Sequence, residues 1–238
     1  MIKKAYITYN EVHKLCQKRS KEILDTFKPN LMIAIGGGGY VPARILRSFL
    51  KRDGAPNIPI QAIGLSLYES LSSDSADAAE EPGTKVTRTQ WLDLSSLQMD
   101  SLIGKNILIV DEVDDTRTTL EYAVRELEKD VETARKQSAR TEKTNFYIFV
   151  LHNKVKPKKG RLPEDMENGK TYISAMETED VWICYPWEAQ NIDQHDKDAQ
   201  THGIRAITTA GISDREVSKH SHNVKNEYNE GGGKLDEE

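Results

Sequence analysis

Cysteine is scarce here. Two occur in 238 residues, Cys16 and Cys184, with no C-x-x-C spacing between them. That excludes a disulfide framework and leaves two free, buried thiols in a reducing compartment. No apolar run approaches the ~20 residues that a membrane span requires. The opening MIKKAYITYNEVHK lacks the apolar core of a signal peptide. The expectation is a cytoplasmic protein with no membrane contact. A basic excess is also missing. The formal net charge is -5, which argues against nonspecific nucleic-acid binding. A local cationic pocket for a small phosphorylated molecule remains compatible with it.

What is present describes one α/β domain with appended segments: 37% hydrophobic and 30% charged residues in a chain long enough for a core. From Asn10, a candidate cap, Val12, Leu15, Cys16, Ile23 and Phe27 recur at helical spacing. Pro29 stops that helix. LMIAI at 31–35 reads as a buried strand, GGGGY follows at 36–40, and PARILRSFLKR continues as a helix with Pro42 in its first turn. NIPIQAIGLSLY, ILIVD, FYIFVLHN, TYISAM and VWICY are further strands. A long amphipathic helix carries Leu120, Ala123, Val124, Leu127 and Val131. Strand and helix alternate, so the central sheet is predicted to be mostly parallel with helices flanking it. Residues 69–90 are polar and read as a long loop. Beyond about residue 190 the chain turns polar, and its end is predicted to be disordered.

The stretch ILIVDEVDDTRTTL at 107–120 poses an electrostatic question. Asp111, Glu112, Asp114 and Asp115 crowd the end of a buried strand, where like charges repel and resist desolvation. A helix begins near Thr118. Its first amides lack intrahelical partners and its dipole is positive there. With the hydroxyls of Thr116, Thr118 and Thr119 and the guanidinium of Arg117, this describes an anion site sized for a phosphate. A plain helix cap would account for one acid and one hydroxyl only. A sugar with vicinal hydroxyls and a divalent cation would occupy the other acids.

Apolar residues, two acids, a spacer, then Asp-Thr-x-x-Thr resemble the phosphoribosyl-diphosphate signature of type I phosphoribosyltransferases. Arg117 and Thr118 depart from the small residues, often glycine, usual there. GGGGYVPARILRSFL, IQAIGLSLYE, KVTRTQWLD, FVLHNKVKPK and VWICYPWE extend the resemblance over roughly residues 5–200. They are similar to the fungal purine phosphoribosyltransferases, above all those acting on xanthine.

The resemblance implies the type I fold over residues 1–190, with a small hood at 69–90 and a polar extension at 191–238. It implies a purine salvage enzyme joining phosphoribosyl diphosphate to a 6-oxopurine, xanthine favoured, with Mg²⁺ as cofactor and a homodimer as assembly. Gly37, Gly38 and Arg44 would hold the diphosphate, and Lys85 and Arg88 would reach it from the hood. Asp111 and Glu112 would hold the ribose hydroxyls and the metal. Asp115 would handle the purine N7 proton and Lys154 would read the 6-oxo group. Trp182 would stack on the base, and the Ile183 backbone would meet its C2 edge. Apart from the resemblance, the hood reads equally as a solvated charge run, Lys154 as part of an exposed basic loop, and Trp182 as core packing. His152, His195, His220 and His222 show no metal-ligand spacing. Two other functions compete: a hypoxanthine-guanine enzyme, and a noncatalytic phosphoribosyl-diphosphate sensor. A dinucleotide oxidoreductase fails because Val41 stands where its third glycine belongs.

Overall fold

The computed structural model describes residues 3–68, 82–92, 102–138 and 140–207. The first half of that chain runs β1 (Lys4–Tyr6), α1 (Tyr9–Thr26), β2 (Leu31–Gly36), α2 (Tyr40–Phe49), β3 (Ile60–Tyr68) and β4 (Pro82–Gln90). The second half runs β5 (Asn106–Asp114), α3 (Thr118–Gln137), β6 (Asn145–Lys154), α4 (Glu164–Glu167), β7 (Tyr172–Thr178), β8 (Trp182–Cys184) and α5 (Ile192–His202).

Six strands form the main sheet in the order β4-β3-β2-β5-β6-β7. All neighbours pair in parallel except β3 and β4, which are antiparallel. This is the α/β architecture expected. Helices α1 and α2 bury Val12, Leu15, Cys16, Ile23, Phe27, Ala43 and Leu46 on one face, against Leu108, Val110, Phe149 and Leu151. Helix α3 covers the other face with Leu120, Ala123, Val124, Leu127 and Val131, against Ile33, Ile107, Ile109 and Ile148. Strands covered on both faces lose the polar alternation of a half-exposed sheet. Removing one of these side chains, as in Leu108→Ala, would cost about 2–5 kcal/mol.

Several boundaries differ from the reading of the sequence. Helix α1 is capped by Thr8, not Asn10. Thr8 Oγ1 accepts from Glu11 N at 3.2 Å and Glu11 Oε2 accepts from Thr8 N at 2.8 Å, the reciprocal capping box of Thr-x-x-Glu. Residues 82–90 form strand β4 rather than loop, because β-branched Val86, Thr87 and Thr89 suit a pleated edge. Residues 69–81 lie outside the described part, as do His220, His222 and the end of the polar extension. The folded body continues past residue 190: Asn191 caps α5, Ile204 N donates to Tyr6 O, and Ile207 N donates to Glu177 O. Strands β1 and β8 make a separate parallel pair, with Ala5 opposite Ile183. Among the described residues no helix is long and apolar enough to cross a membrane.

Candidate active site

The strand order reverses between β2 and β5, and the loops leaving their carboxyl ends diverge to opposite faces. Open α/β sheets bind ligands in the crevice at such a switch point. Here that crevice lies between the glycine loop at 36–39 and the acids of β5. The Gly36–Gly37 peptide is cis. A Cβ placed on Gly38 would fall 1.8 Å from the Glu112 carboxylate, so a side chain at 38 and that carboxylate compete for one space. Among the described residues nothing lies within 4 Å of the equivalent point on Gly37. That leaves open room against its backbone, as an anion approaching amides would need.

Asp111 is 7% exposed, and its Oδ1 accepts the Glu112 amide at 2.9 Å. Burial, followed by the Glu112 charge, pushes its carboxyl well above the usual range. Glu112 Oε2 is buried with no hydrogen-bond partner among the described residues. Two crowded carboxylates, one of them with a bare oxygen, form a donor set suited to a hard cation that takes its remaining ligands from substrate and water. No group of three or more potential ligand residues exists among the described residues. A metal held by protein ligands alone therefore finds no site there. Behind the acids, His152 Nδ1 lies 2.8 Å from the Tyr185 hydroxyl, which donates to Glu112 O at 3.0 Å. Because that hydroxyl donates onward, the imidazole must carry its proton on Nδ1. Burial lowers the His152 pKa from 6.5 to about 3, so the ring is neutral. His195 is likewise structural, bonded to Ile7 O at 2.9 Å.

The turn expected to receive an anion lies where β5 hands over to α3. Arg117, the residue before the helix, has φ 69° and ψ -3°, a left-handed conformation that a non-glycine residue rarely adopts. The hydroxyls of Thr116 and Thr118 are 3.0 Å apart, and Thr119 follows in the first helical turn. The Arg117 side chain does not face this turn. It is committed to Asp114, with Nε and Nη2 at 3.0 and 2.9 Å from Oδ2, and lies over the Tyr172 ring. Its backbone contributes to the turn; its charge does not.

Asp115 stands beside this turn, bound by Lys154 Nζ at 2.9 Å and by Lys156. Burial alone would raise its carboxyl, but hydrogen bonds from Lys156 and Lys154 outweigh that and hold it below the usual range. Lys154 is 7% exposed at the end of β6, which removes the exposed-loop reading. Lys156 was not anticipated, and neither was Lys158, whose Nζ donates to the carbonyls of Asp114, Asp115 and Lys154. Alternate lysines in HNKVKPK were the available signal; their convergence on one turn depends on the sheet.

Trp182 is 44% exposed and so is not core packing, while Ile183 is buried in β8. Asp180 lies 3.6 Å from Lys154 Nζ, tying the approach to β8 to the end of β6. Arg44 lies exposed on α2, bonded to Ser48. Arg88 leaves β4 for α3, meeting Tyr122 at 3.0 Å and Glu126 at 2.5 Å. The structure thus gathers Gly37, Gly38, Asp111, Glu112, Asp115, Thr116, Thr118, Thr119 and Lys154 around the switch point. Arg44 and Arg88 hold other partners. Lys85 falls within β4, with its side chain outside the described part.

No protein-family model matches the chain. The hypoxanthine-guanine phosphoribosyltransferase of Schizosaccharomyces pombe is 60% identical over 192 residues, spanning 80% of this chain and 92% of that one. Xanthine phosphoribosyltransferase 1 of Saccharomyces cerevisiae is 55% identical over 202 residues, spanning 83% and 96%. Among solved structures, a hypothetical protein from Neisseria gonorrhoeae with bound ppGpp superposes with a TM-score of 0.63. It is 36% identical, spanning 84% of this chain and 98% of that one.

Proposed function

Because the chain belongs to the purine phosphoribosyltransferase family, we propose that it transfers the phosphoribosyl group of phosphoribosyl diphosphate to a 6-oxopurine, with xanthine among its bases. One observation carries the choice of base class. The Asp115 carboxylate and the Lys154 ammonium are neighbours at 2.9 Å beside the anion turn. A 6-oxopurine presents an acceptor at O6 next to a donor at N7–H, so an acceptor beside a donor reads that edge. Adenine presents an amine at C6, which would face the ammonium donor to donor.

In this reading the amides and threonine hydroxyls of 116–119 hold the 5′-phosphate and the backbone of Gly37 and Gly38 approaches the diphosphate. Asp111 and Glu112 take the ribose hydroxyls. Mg²⁺, held by the same two acids and by substrate oxygens, would offset the charge of the departing diphosphate. The purine N9 bonds to the anomeric carbon as the bond to the diphosphate oxygen breaks. The N7 proton passes to Asp115, which its lysines keep ionised. Trp182 offers its exposed ring to the base plane, and the Ile183 backbone meets C2. A pure sensor of phosphoribosyl diphosphate would have no use for the Asp115–Lys154 pair.

The two relatives named for hypoxanthine-guanine and for xanthine are similarly close, so overall identity does not decide the base. Resemblance in IQAIGLSLYE and ICYPWEAQNI favours xanthine. The test is turnover of xanthine, hypoxanthine, guanine and adenine side by side with phosphoribosyl diphosphate. Turnover of the three oxopurines is expected, with adenine rejected. Xanthine kcat/KM below about one-hundredth of that for hypoxanthine, near the upper end of what an unpaired C2 group costs, would move the assignment to hypoxanthine-guanine. Efficient use of adenine would overturn it.

A further inference from the structure

Asp114 has no role in the reading above, yet it is the most enclosed acid of the motif, its side chain 0% exposed. Three partners converge on it. Arg117 binds Oδ2 through both Nε and Nη2, the Tyr172 hydroxyl donates to the same oxygen at 3.0 Å, and Lys158 Nζ lies 3.4 Å from Oδ1. The contacts from Arg117 and Tyr172 fall on Oδ2, while Oδ1 is buried with no hydrogen-bond partner among the described residues, so the carboxylate depends on the two nearby cations and losing either leaves buried charge uncompensated.

The cluster is built around the backbone of the anion turn. Arg117 adopts a left-handed φ that costs a side chain free energy unless its surroundings enforce it. The hold of Asp114 Oδ2 on both Nε and Nη2 of its guanidinium is such an enforcement, three residues back in sequence. From the other side, Thr116 O accepts the amides of Lys159 and Gly160, both at 3.0 Å. Gly160 lies flush on the turn: a Cβ there would fall 2.6 Å from Arg117 O and 2.9 Å from Thr118 N. Lys158 fastens the same loop to the carbonyls of Asp114 and Asp115. The turn is thereby held from its strand, its loop and its own side chain.

We propose that Asp114 is a positioning residue for phosphoribosyl diphosphate: through Arg117 and Lys158 it sets the left-handed turn whose amides and hydroxyls receive the 5′-phosphate. This rests on the phosphoribosyltransferase reading and adds to it a device outside the substrate-touching set. It implies an unusual pattern of substitutions. Asp114→Asn keeps the shape but loses the charge, leaving Arg117 strained and poorly held. Arg117→Gly loses the charge but adopts positive φ freely, so it should weaken phosphoribosyl-diphosphate binding less than Asp114→Asn does, although the uncompensated Asp114 carboxylate lowers its thermal midpoint. Combined with Asp114→Asn, it should recover part of what the single change lost, because the residue needing enforcement is gone.

Calorimetry with phosphoribosyl diphosphate and Mg²⁺, on protein verified as folded by its thermal transition, reads this directly. Steady-state KM values for both substrates accompany it. Asp114→Asn is expected to weaken phosphoribosyl-diphosphate binding about tenfold, the scale on which positioning networks act, with the KM for the base little changed. A merely structural role would lower kcat through a smaller folded fraction and leave both KM values alone. The Asp114→Asn/Arg117→Gly pair should bind more tightly than Asp114→Asn alone. Wild-type affinity in Asp114→Asn, or a pair weaker than either single variant, overturns the proposal while wild-type turnover keeps the reading beneath it. A wild-type protein that neither binds nor turns over phosphoribosyl diphosphate overturns both.

Discussion

Gly38 and Gly39 are consecutive, yet their substitution should fail in different ways. A Cβ on Gly39 would fall 2.3 Å from Val110 O and 2.6 Å from Ile35 O, both backbone atoms of central strands. Gly39→Ala is therefore expected to destabilise the fold by about 1–3 kcal/mol, as overpacking does. At Gly38 the obstacle is the far end of the Glu112 side chain, which can swing away. Gly38→Ala should keep its thermal midpoint and lose about 10–100-fold in Mg²⁺-dependent phosphoribosyl-diphosphate affinity, as when support of a metal ligand is lost. Thermal unfolding and calorimetry on the two variants separate these outcomes, and a matched loss of stability would contradict them. Asp115→Asn should cut kcat by about 10²–10⁴-fold, the span of general acid–base work, with modest effect on diphosphate-substrate affinity. A near-normal kcat at saturation would remove Asp115 from proton transfer. At this scale the acids, threonines and Lys154 were readable because they lie in one run or one motif. Tyr172, Lys156 and Lys158 were not, since only the parallel pairing of β5, β6 and β7 brings them to the turn.

Among the described strands of the main sheet, β4 is the antiparallel one and sits at an edge. Its register with β3 is irregular, and it is pinned to α3 by Arg88, which meets Tyr122 and Glu126, and by Trp91, whose indole N–H donates to Asp130 and whose ring lies under Arg88. If β4 serves as the hood, Arg88 must leave Glu126 to reach a diphosphate. The pair is partly buried, its side chains 35% and 15% exposed, so breaking it costs more than the ~0.2–1 kcal/mol of a fully exposed pair, and substrate binding must supply the difference. Hydrogen exchange at the amides of 86–90 is expected to slow when phosphoribosyl diphosphate is added, and to quicken in unliganded Glu126→Gln. Equal protection with and without substrate would make β4 a static edge. Long apolar strands and the stripe of α3 were legible because burial on both faces writes itself as composition. Strand β4 was not, because an edge carrying Thr and Lys resembles a loop. Strand β1 is too short for any period to show, and α5 is polar apart from a few contacts with β1.

For the whole molecule, acid sensitivity follows from His152. The native ring is held neutral, with its pKa lowered from 6.5 to about 3, while the unfolded chain takes up a proton below its ordinary pKa. Between these values the unfolded state binds the additional proton, so stability falls as pH falls, by about 1.4 kcal/mol per pH unit at most for this group. Asp115, lowered, acts in the same direction as acid is added. Asp111, raised, acts in the opposite one, since its native form holds a proton longer. Comparing wild type with His152→Phe cancels both carboxylates. Denaturant midpoints measured from pH 7 to pH 4.5 should fall more steeply for wild type, and parallel curves would refute the assignment.

The pairing of β1 with β8 has a temporal side. Lys4 lies opposite Trp182 and Tyr6 opposite Cys184, so the surface proposed to receive the purine is joined to the opposite end of the folded chain. A ribosome releases β1 long before β8, and early segments of a nascent chain fold as soon as their partners are out. The glycine loop, the acids and the phosphate turn can therefore assemble while β1 still waits unpaired. Stalled chains ending before residue 180 should already protect β2 and β5 from protease while leaving residues 3–7 open to cleavage; protection of both would show that β1 docks without β8. On this order of events the proposed grip on the sugar phosphate is completed first, and the surface proposed to choose among bases is finished last.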